Sequence, residues 1–144
     1  TAREVNDHQP HYVVETLKKK LGSLADRKIT VLCLSYKANI DDLRESPAIE
    51  ITNLLIQEQA ALTVYEPYKP DGFHGNARAA TSLQEALQDC EVLLLLVAHQ
   101  QFIALDPHEI SQLTKARIAV DMCGGWQRKE WENAGFHFYK LGQP

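Results

Sequence analysis

The chain has 144 residues and a mass of 16.3 kDa, the size of one ordinary domain, which buries roughly 68–70% of its unfolded surface without staples. Hydrophobic residues at 44% and charged residues at 24% exclude a disordered chain. With 15 Lys plus Arg against 19 Asp plus Glu, a net charge of -4 and no basic cluster beyond Lys18-Lys19-Lys20, nucleic acid is excluded as an expected partner.

In chain order, residues 1–10 are polar and end at Pro10. Tyr12, Val13, Leu17 and Leu21 then fall at helical spacing before Gly22, which predicts an amphipathic helix over 11–21. Its lysine run suits the negative end of the helix dipole and reads as a solvated helix end. Lys28 to Tyr36 reads as a strand buried on both faces, because Ile29 and Val31 to Leu34 are almost continuously apolar. A polar loop, 37–45, leads to Ser46 as N-cap and Pro47 at the first helical position, predicting a helix to about Gln59. Leu62, Val64 and Tyr65 make a second strand, stopped by Pro67 and Pro70. The stretch 69–80 is turn-rich, and Ser82 caps a short helix containing Leu83, Ala86 and Leu87. Val92 to Val97 is the strongest strand. Its apolar run, to Ala98, is far shorter than the roughly 20 residues of a membrane helix, so no membrane partner is expected. Short helices at 99–102 and 107–113, a strand at Arg117–Asp121 ended by Gly124-Gly125, and a last strand around Phe136, Phe138 and Tyr139 complete the pattern.

Strands alternating with helices predict an α/β, Rossmann-like three-layer domain with a mainly parallel sheet. Ligands in such folds gather at the carboxyl ends of the strands. The loops expected to carry chemistry are therefore 35–45, 66–68, 98–101 and 121–126. The glycine-rich turn of a dinucleotide-binding first strand is absent: Ser35-Tyr36-Lys37-Ala38-Asn39 stands in its place. If a nicotinamide cofactor is used, its main binding half lies outside this chain. The loop 36–46 instead sets Lys37 near the strand end and Arg44 just ahead of a helix N-terminus. A point cation, a forked cation and free backbone N–H groups suit a phosphate or pyrophosphate. A solvated loop whose Arg44 pairs with a neighbouring acid is the other reading of the same residues.

Residues 34–49, Leu-Ser-Tyr-Lys-Ala-Asn-Ile-Asp-Asp-Leu-Arg-Glu-Ser-Pro-Ala-Ile, resemble the Leu-Ala-Phe-Lys-Pro-Asn-x-Asp-Asp-x-Arg-Glu-Ser-Pro signature of the UDP-glucose/GDP-mannose dehydrogenase family, which opens that family's C-terminal, UDP-sugar-binding domain. Ala2-Arg3-Glu4-Val5-Asn6-Asp7 with Gln9-Pro10 resembles the end of the family's linking helix. Val64-Tyr65-Glu66-Pro67 resembles its Val-Tyr-Asp-Pro, and Leu96 to Phe102 its Thr/Val-x-His-x-x-Phe segment. Within the family, Asn39 to Leu43 and Asn6-Asp7-His8 are most similar to UDP-N-acetyl-D-mannosamine dehydrogenases. The chain, which opens Thr1-Ala2-Arg3 without an initiator Met, then reads as a piece of a longer protein: 1–10 ends a linking segment from a central domain, and 11–144 is the UDP-sugar-binding domain.

The resemblance implies that Lys37 touches the UDP-sugar, that Tyr36 lies beside the uridine and that Arg44 reaches the NAD pyrophosphate. It implies a parent enzyme that oxidises the sugar C6 alcohol to a carboxylate with two NAD, for cell-surface polysaccharide synthesis, through a cysteine-bound intermediate. That cysteine, its helping lysine and the Gly-rich NAD loop belong to the family's preceding domains, so the isolated chain is expected to be inactive. Family members dimerise through the central domain, which implies a homo-oligomeric parent. UDP-N-acetyl-D-mannosamine is the first choice of substrate; UDP-glucose, UDP-N-acetylglucosamine and GDP-mannose are alternatives. Three departures stand out: Cys33 for the family Gly, Ala38 for its Pro, and Met122-Cys123-Gly124 where many members carry Arg. They bear on loop shape and one ligand contact.

Three scattered cysteines argue against a disulfide framework and for a reducing compartment, hence the cytoplasm. Cys33 and Cys90 read as core residues. Cys123, after a strand at the ligand edge, is either a nucleophile needing a depressed pKa or an inert thiol. His99 is either a structural histidine or a base lining the cleft. No metal is expected, since the six histidines lack ligand spacing. Trp126 and Trp131 are expected to cover the sheet edge, with a ligand contact as the alternative for Trp126. A rival from another class is a signalling receiver domain, which requires a phospho-accepting Asp after its third strand.

Overall fold

The computed structural model describes residues 2–32, 47–66 and 77–140. Among them, six strands form one sheet: β1 (Lys28–Leu32), β2 (Ala61–Tyr65), β3 (Arg78–Ala79), β4 (Val92–Leu95), β5 (Ile118–Asp121) and β6 (His137–Lys140). All neighbours are parallel, in the order β3-β2-β1-β4-β5-β6. This is a doubly wound order that reverses direction between β1 and β4, where such sheets open a crevice at their carboxyl edge.

Helices α1 (Ala2–Leu21) and α2 (Pro47–Gln57) cover one face. The strands send Ile29, Val31, Leu62, Val64, Val92, Leu94 and Val120 to meet Val13, Val14, Leu17, Ile51 and Leu55 in an aliphatic core. The opposite face carries α3 (Leu83–Leu87), α4 (Gln100–Ile103), α5 (Pro107–Leu113) and α6 (Arg128–Asn133). There Leu32, Leu93, Leu95 and Ala119 pack with Phe102, Ile110, Trp126, Trp131, Phe136 and Phe138. Alternation of strand side chains divides each apolar run between the two cores, which is why the central strands read as continuous hydrophobic sequence. Short helices start where the sequence offers caps: Ser82 accepts from Glu85 N–H, and Asp106 accepts from His108 N–H ahead of Pro107.

The structure departs from the sequence reading at four places. Helix α1 begins at Ala2 rather than after Pro10, and runs through that proline. Pro10 removes one backbone donor, but it is buried, so packing offsets the interruption. Strand β3 lies in the stretch read as turns; two residues are too few to show a period. Helix α6 has no counterpart in the sequence reading, because Trp131 is its one buried residue amid charge. The tryptophans do not cap the sheet edge: Trp126 and Trp131 are 2% and 1% exposed and stack at 4.1 Å in the aromatic core. Residues 33–36 of the expected first strand lie outside the described residues, as do Ser46 and Cys33. Cys90 is a core residue, as expected.

Candidate functional site

Toward the carboxyl edge of the sheet the strands keep a common register: Leu32 pairs with Tyr65 on one side and Leu95 on the other, and Leu95 with Asp121. Polar residues stand just past two of these strand ends, and they are buried. Beyond β2 is Glu66, 2% exposed; in the β4 loop is His99, 0% exposed. Their side chains meet, with His99 Nε2 3.4 Å from Glu66 Oε1. Backbone bonds fix the loop that brings His99 there: His99 N–H donates to Val97 C=O, and the His99 carbonyl accepts from Phe102 and Ile103 N–H at the start of α4. The imidazole lies 6.3 Å from the Phe102 ring, which also meets Tyr65 edge-on at 5.8 Å. An apolar wall thus flanks a polar pair.

Asp121 anchors the neighbouring loop. Its Oδ1 accepts from the N–H groups of Cys123 and Gly124 at 2.9 Å and of Gly125 at 3.3 Å; its Oδ2 accepts from Trp126 N–H at 2.9 Å. Four donors of a tight turn converge on one carboxylate that is 0% exposed. Gly124 at φ 77° occupies the left-handed region that this turn needs. Gly125 has no room to spare: a Cβ there would lie 3.2 Å from Ile103 Cγ1 and 3.4 Å from Ala98 Cβ. The β5 loop is therefore packed against the β4 loop.

These contacts decide two alternatives left open by the sequence. The Cys123 thiol is pushed up to about 12, by burial first and by the adjacent Asp121 carboxylate next. It is an inert thiol at neutral pH, not an activated nucleophile. Trp126 donates its Nε1–H to Phe102 C=O at 2.8 Å, so its polar atom locks α4 and is spent within the core. His99 has the burial and partner of a structural histidine. Strand β4 leads into Leu96-Val97-Ala98, without the aspartate a receiver domain requires. No cluster of metal-ligating side chains occurs among the described residues, and no helix there is long and apolar enough to cross a membrane.

Tyr36, Lys37 and Arg44, the residues expected to meet substrate and cofactor, lie outside the described residues. The structure places their neighbours instead: the chain carrying them continues from Leu32, whose strand lies between those of Glu66 and the β4 loop. Sequence reasoning named the loops of Glu66 and His99 separately and missed that they pair; the available signal was a polar residue just past each of two strands flanking the first. It also missed Asp121 as a turn anchor, for which Asp followed by Gly-Gly was the signal. Two shallow recesses, about 500 and 540 Å³, open at the opposite edge, lined among others by Lys28, Arg78 and Asp89 and by Asp89, Lys115 and Arg117. They lie at the amino ends of the strands, away from the crevice.

The model of the UDP-glucose/GDP-mannose dehydrogenase family, UDP binding domain, matches residues 30–128. A Ralstonia nicotianae protein, an NDP-N-acetyl-D-galactosaminuronic acid dehydrogenase, is 41% identical over 90% of this chain and 30% of its own length. The UDP-N-acetyl-D-mannosamine dehydrogenase of Escherichia coli is 37% identical over 88% of this chain and 32% of its own. Among solved structures, the UDP-N-acetyl-mannosamine dehydrogenase of Staphylococcus aureus superposes with a TM-score of 0.75 at 28% identity, over 98% of this chain and 32% of that one. The chain spans about a third of the length of these relatives.

Proposed function

Because the chain belongs to the UDP-glucose/GDP-mannose dehydrogenase family and constitutes its UDP binding domain, we propose that it binds the UDP moiety of a nucleotide sugar for an NAD-dependent 6-dehydrogenase whose remaining domains precede it. The carrying observation is the family match over residues 30–128, which spans the Lys37 and Arg44 loop and every strand end at the crevice. Lys37 meets the diphosphate, Tyr36 flanks the uracil, and Arg44 faces the NAD pyrophosphate across the domain cleft. A Lys ammonium and a forked guanidinium suit these roles because both give charge-assisted hydrogen bonds to phosphate oxygens.

The parent oxidises UDP-N-acetyl-D-mannosamine to the uronate. Supporting this sugar are the mannosamine dehydrogenases among the relatives, including one from Methanocaldococcus jannaschii at 33% identity over 99% of this chain. A second reading, an N-acetylgalactosamine-type sugar, is favoured by the Ralstonia nicotianae relative. Residues 1–10 continue a linking helix from a central domain through which the parent pairs with itself, and the compartment is the cytoplasm, in keeping with the free thiols of Cys90 and Cys123.

Titration calorimetry of the chain with UDP and ADP tests the site. UDP binds in preference to ADP, and Lys37→Ala weakens UDP at least tenfold; equal binding of both nucleotides, or of neither, overturns the assignment. The full-length enzyme assayed with NAD and a panel of UDP-sugars ranks the substrates. The isolated chain forms no NADH, since the family's catalytic cysteine belongs to a preceding domain.

A further inference from the structure

Strand β6 is the outermost strand on its side of the sheet and, among the described residues, pairs only with β5. His137 N–H donates to Arg117 C=O at 2.7 Å, so the backbone groups of His137 face β5 and those of Phe138, the next residue, face away from the sheet. An outward carbonyl and N–H on an edge strand are a template for a further strand. The opposite edge offers less, because β3 pairs over only two residues, Arg78 and Ala79. At Phe138 the outward carbonyl is taken. Arg128, the first residue of α6, donates to it from Nη1 at 3.0 Å, and the guanidinium carbon lies 5.2 Å from the centre of the Phe138 ring. Phe138 is 4% exposed although it belongs to an edge strand.

We propose that Arg128 guards this edge against a second copy of the chain: its guanidinium occupies the carbonyl that β6 of another molecule would need. The occupant follows from symmetry. Two β6 strands set antiparallel about a two-fold axis at Phe138 would exchange two hydrogen bonds, the Phe138 N–H of each copy donating to the Phe138 C=O of the other, which is the closely spaced pair of an antiparallel ladder. In that register His137 of one copy faces Tyr139 of the other, so no like charges are opposed. Helix stability does not account for Arg128. A cation in the first turn of α6 works against the helix dipole. Its contact with Glu132 is 3.9 Å long with both side chains about half exposed, where an ion pair contributes little. As an edge charge it is well placed, since pairing of two copies would strip water from a guanidinium held at the seam.

Sedimentation velocity over a concentration series tests the guard. Arg128→Met keeps an apolar stem over the Phe138 ring and removes the donors; Arg128→Ala removes both. Each self-associates with a dissociation constant at least tenfold below that of wild type. Glu132→Gln removes the ion pair and leaves the guard, and it associates no more tightly than wild type. Charge alone predicts the opposite ranking, because loss of Arg128 makes a chain of net charge -4 more negative, which opposes association. Amide hydrogen exchange locates the contact: the Phe138 amide slows as concentration rises in Arg128→Met and is independent of concentration in wild type. Arg128 variants that associate no more than wild type overturn the proposal. So does association that leaves the Phe138 amide unprotected, wild-type association that protects it, or Glu132→Gln associating as the Arg128 variants do. Circular dichroism checks that the variants fold; loss of fold in both Arg128 variants overturns the proposal too, since Arg128 is then a stability element. No outcome depends on UDP binding, so the functional reading stands or falls by its own test.

Discussion

The two edges of the sheet handle charge in opposite ways. At the amino edge, Lys28 meets Asp89 at 2.7 Å and Arg27 meets Glu91 at 3.7 Å, all with side chains about a third exposed or more. At the carboxyl edge, Glu66, His99 and Asp121 are buried, and each has a defined partner within the protein. Exposed pairs contribute little because water competes for both ions. Buried polar groups are costly unless their geometry is kept, so they fix structure. The amino edge is thus a solvated boundary, and the carboxyl edge carries buried polar groups held in fixed contacts.

The contrast is sharpest at Asp121. Replacing it with Ala leaves the N–H groups of Cys123, Gly124, Gly125 and Trp126 without their common acceptor in a half-buried turn. The expected loss is about 3–4 kcal/mol of unfolding free energy, read as a lower urea midpoint. An unchanged midpoint would mean that the turn holds without its carboxylate and that the carboxyl edge is no more rigid than the amino one.

Cys123 offers a second way to probe the carboxyl edge. Raised from the ordinary 9.0 to about 12, its thiol should hold far less thiolate than an unfolded one at pH 8, a drop on the order of a thousandfold. Iodoacetamide labelling, mapped by mass spectrometry, should therefore be slow in folded protein and fast in urea. Because the folded pKa lies above the unfolded one, the thiol's contribution to stability is complete below pH 9.0 and declines as pH rises toward 12. Rapid labelling of the folded chain at pH 8 would show that the β5 loop opens readily.

How legible these edges were differs by residue. The strands were legible because Ile29 to Leu32 and Val92 to Leu95 are buried on both faces and almost continuously apolar, a pattern that local sequence carries by itself. The Lys37 and Arg44 segment was singled out by charge placement and by its resemblance to a family signature. The Glu66–His99 contact was not legible, since it joins residues 33 positions apart through a strand order that no local pattern reveals. Trp126 misled for a related reason: tryptophan after Gly-Gly suits a surface loop, and only tertiary packing tells that its indole points inward to Phe102 C=O. Pro10 misled because proline ends most helices, whereas burial holds this one within α1.

A smaller effect is expected at the amino edge, where helix ends turn into strands. Gln59, exposed, has φ 67° between α2 and β2; its carbonyl accepts from Asp26 N–H at 3.0 Å, and its own N–H donates to Ile56 C=O. Those bonds are made by backbone alone, so a side chain brings only strain in the left-handed region. Gln59→Gly should raise stability by about 0.5–1 kcal/mol, by removing the Cβ from a helix-terminating position that favours glycine. A loss in the denaturation midpoint would reveal a role for the Gln59 side chain.

The smallest effect should come from the shortest ion pair among the described residues. Lys28 is raised above its ordinary 10.5, chiefly by the hydrogen bond to Asp89, and Asp89 is lowered below its ordinary 3.8, chiefly by the same bond. The raised Lys contributes below 10.5 and loses its contribution as pH climbs through its folded value. The lowered Asp contributes above 3.8 and loses its contribution as pH falls through its folded value. Between those limits the pair is fully formed, so it adds no slope to the stability profile across neutral pH. Both groups are solvated and screened by salt. Lys28→Met should therefore leave the thermal midpoint unchanged at physiological ionic strength, despite deleting a 2.7 Å contact, while Asp121→Ala removes contacts no shorter than 2.9 Å and destabilises strongly. Were Lys28→Met the more damaging of the two, burial would not be what separates the edges, and distance alone would rank their ionic contacts.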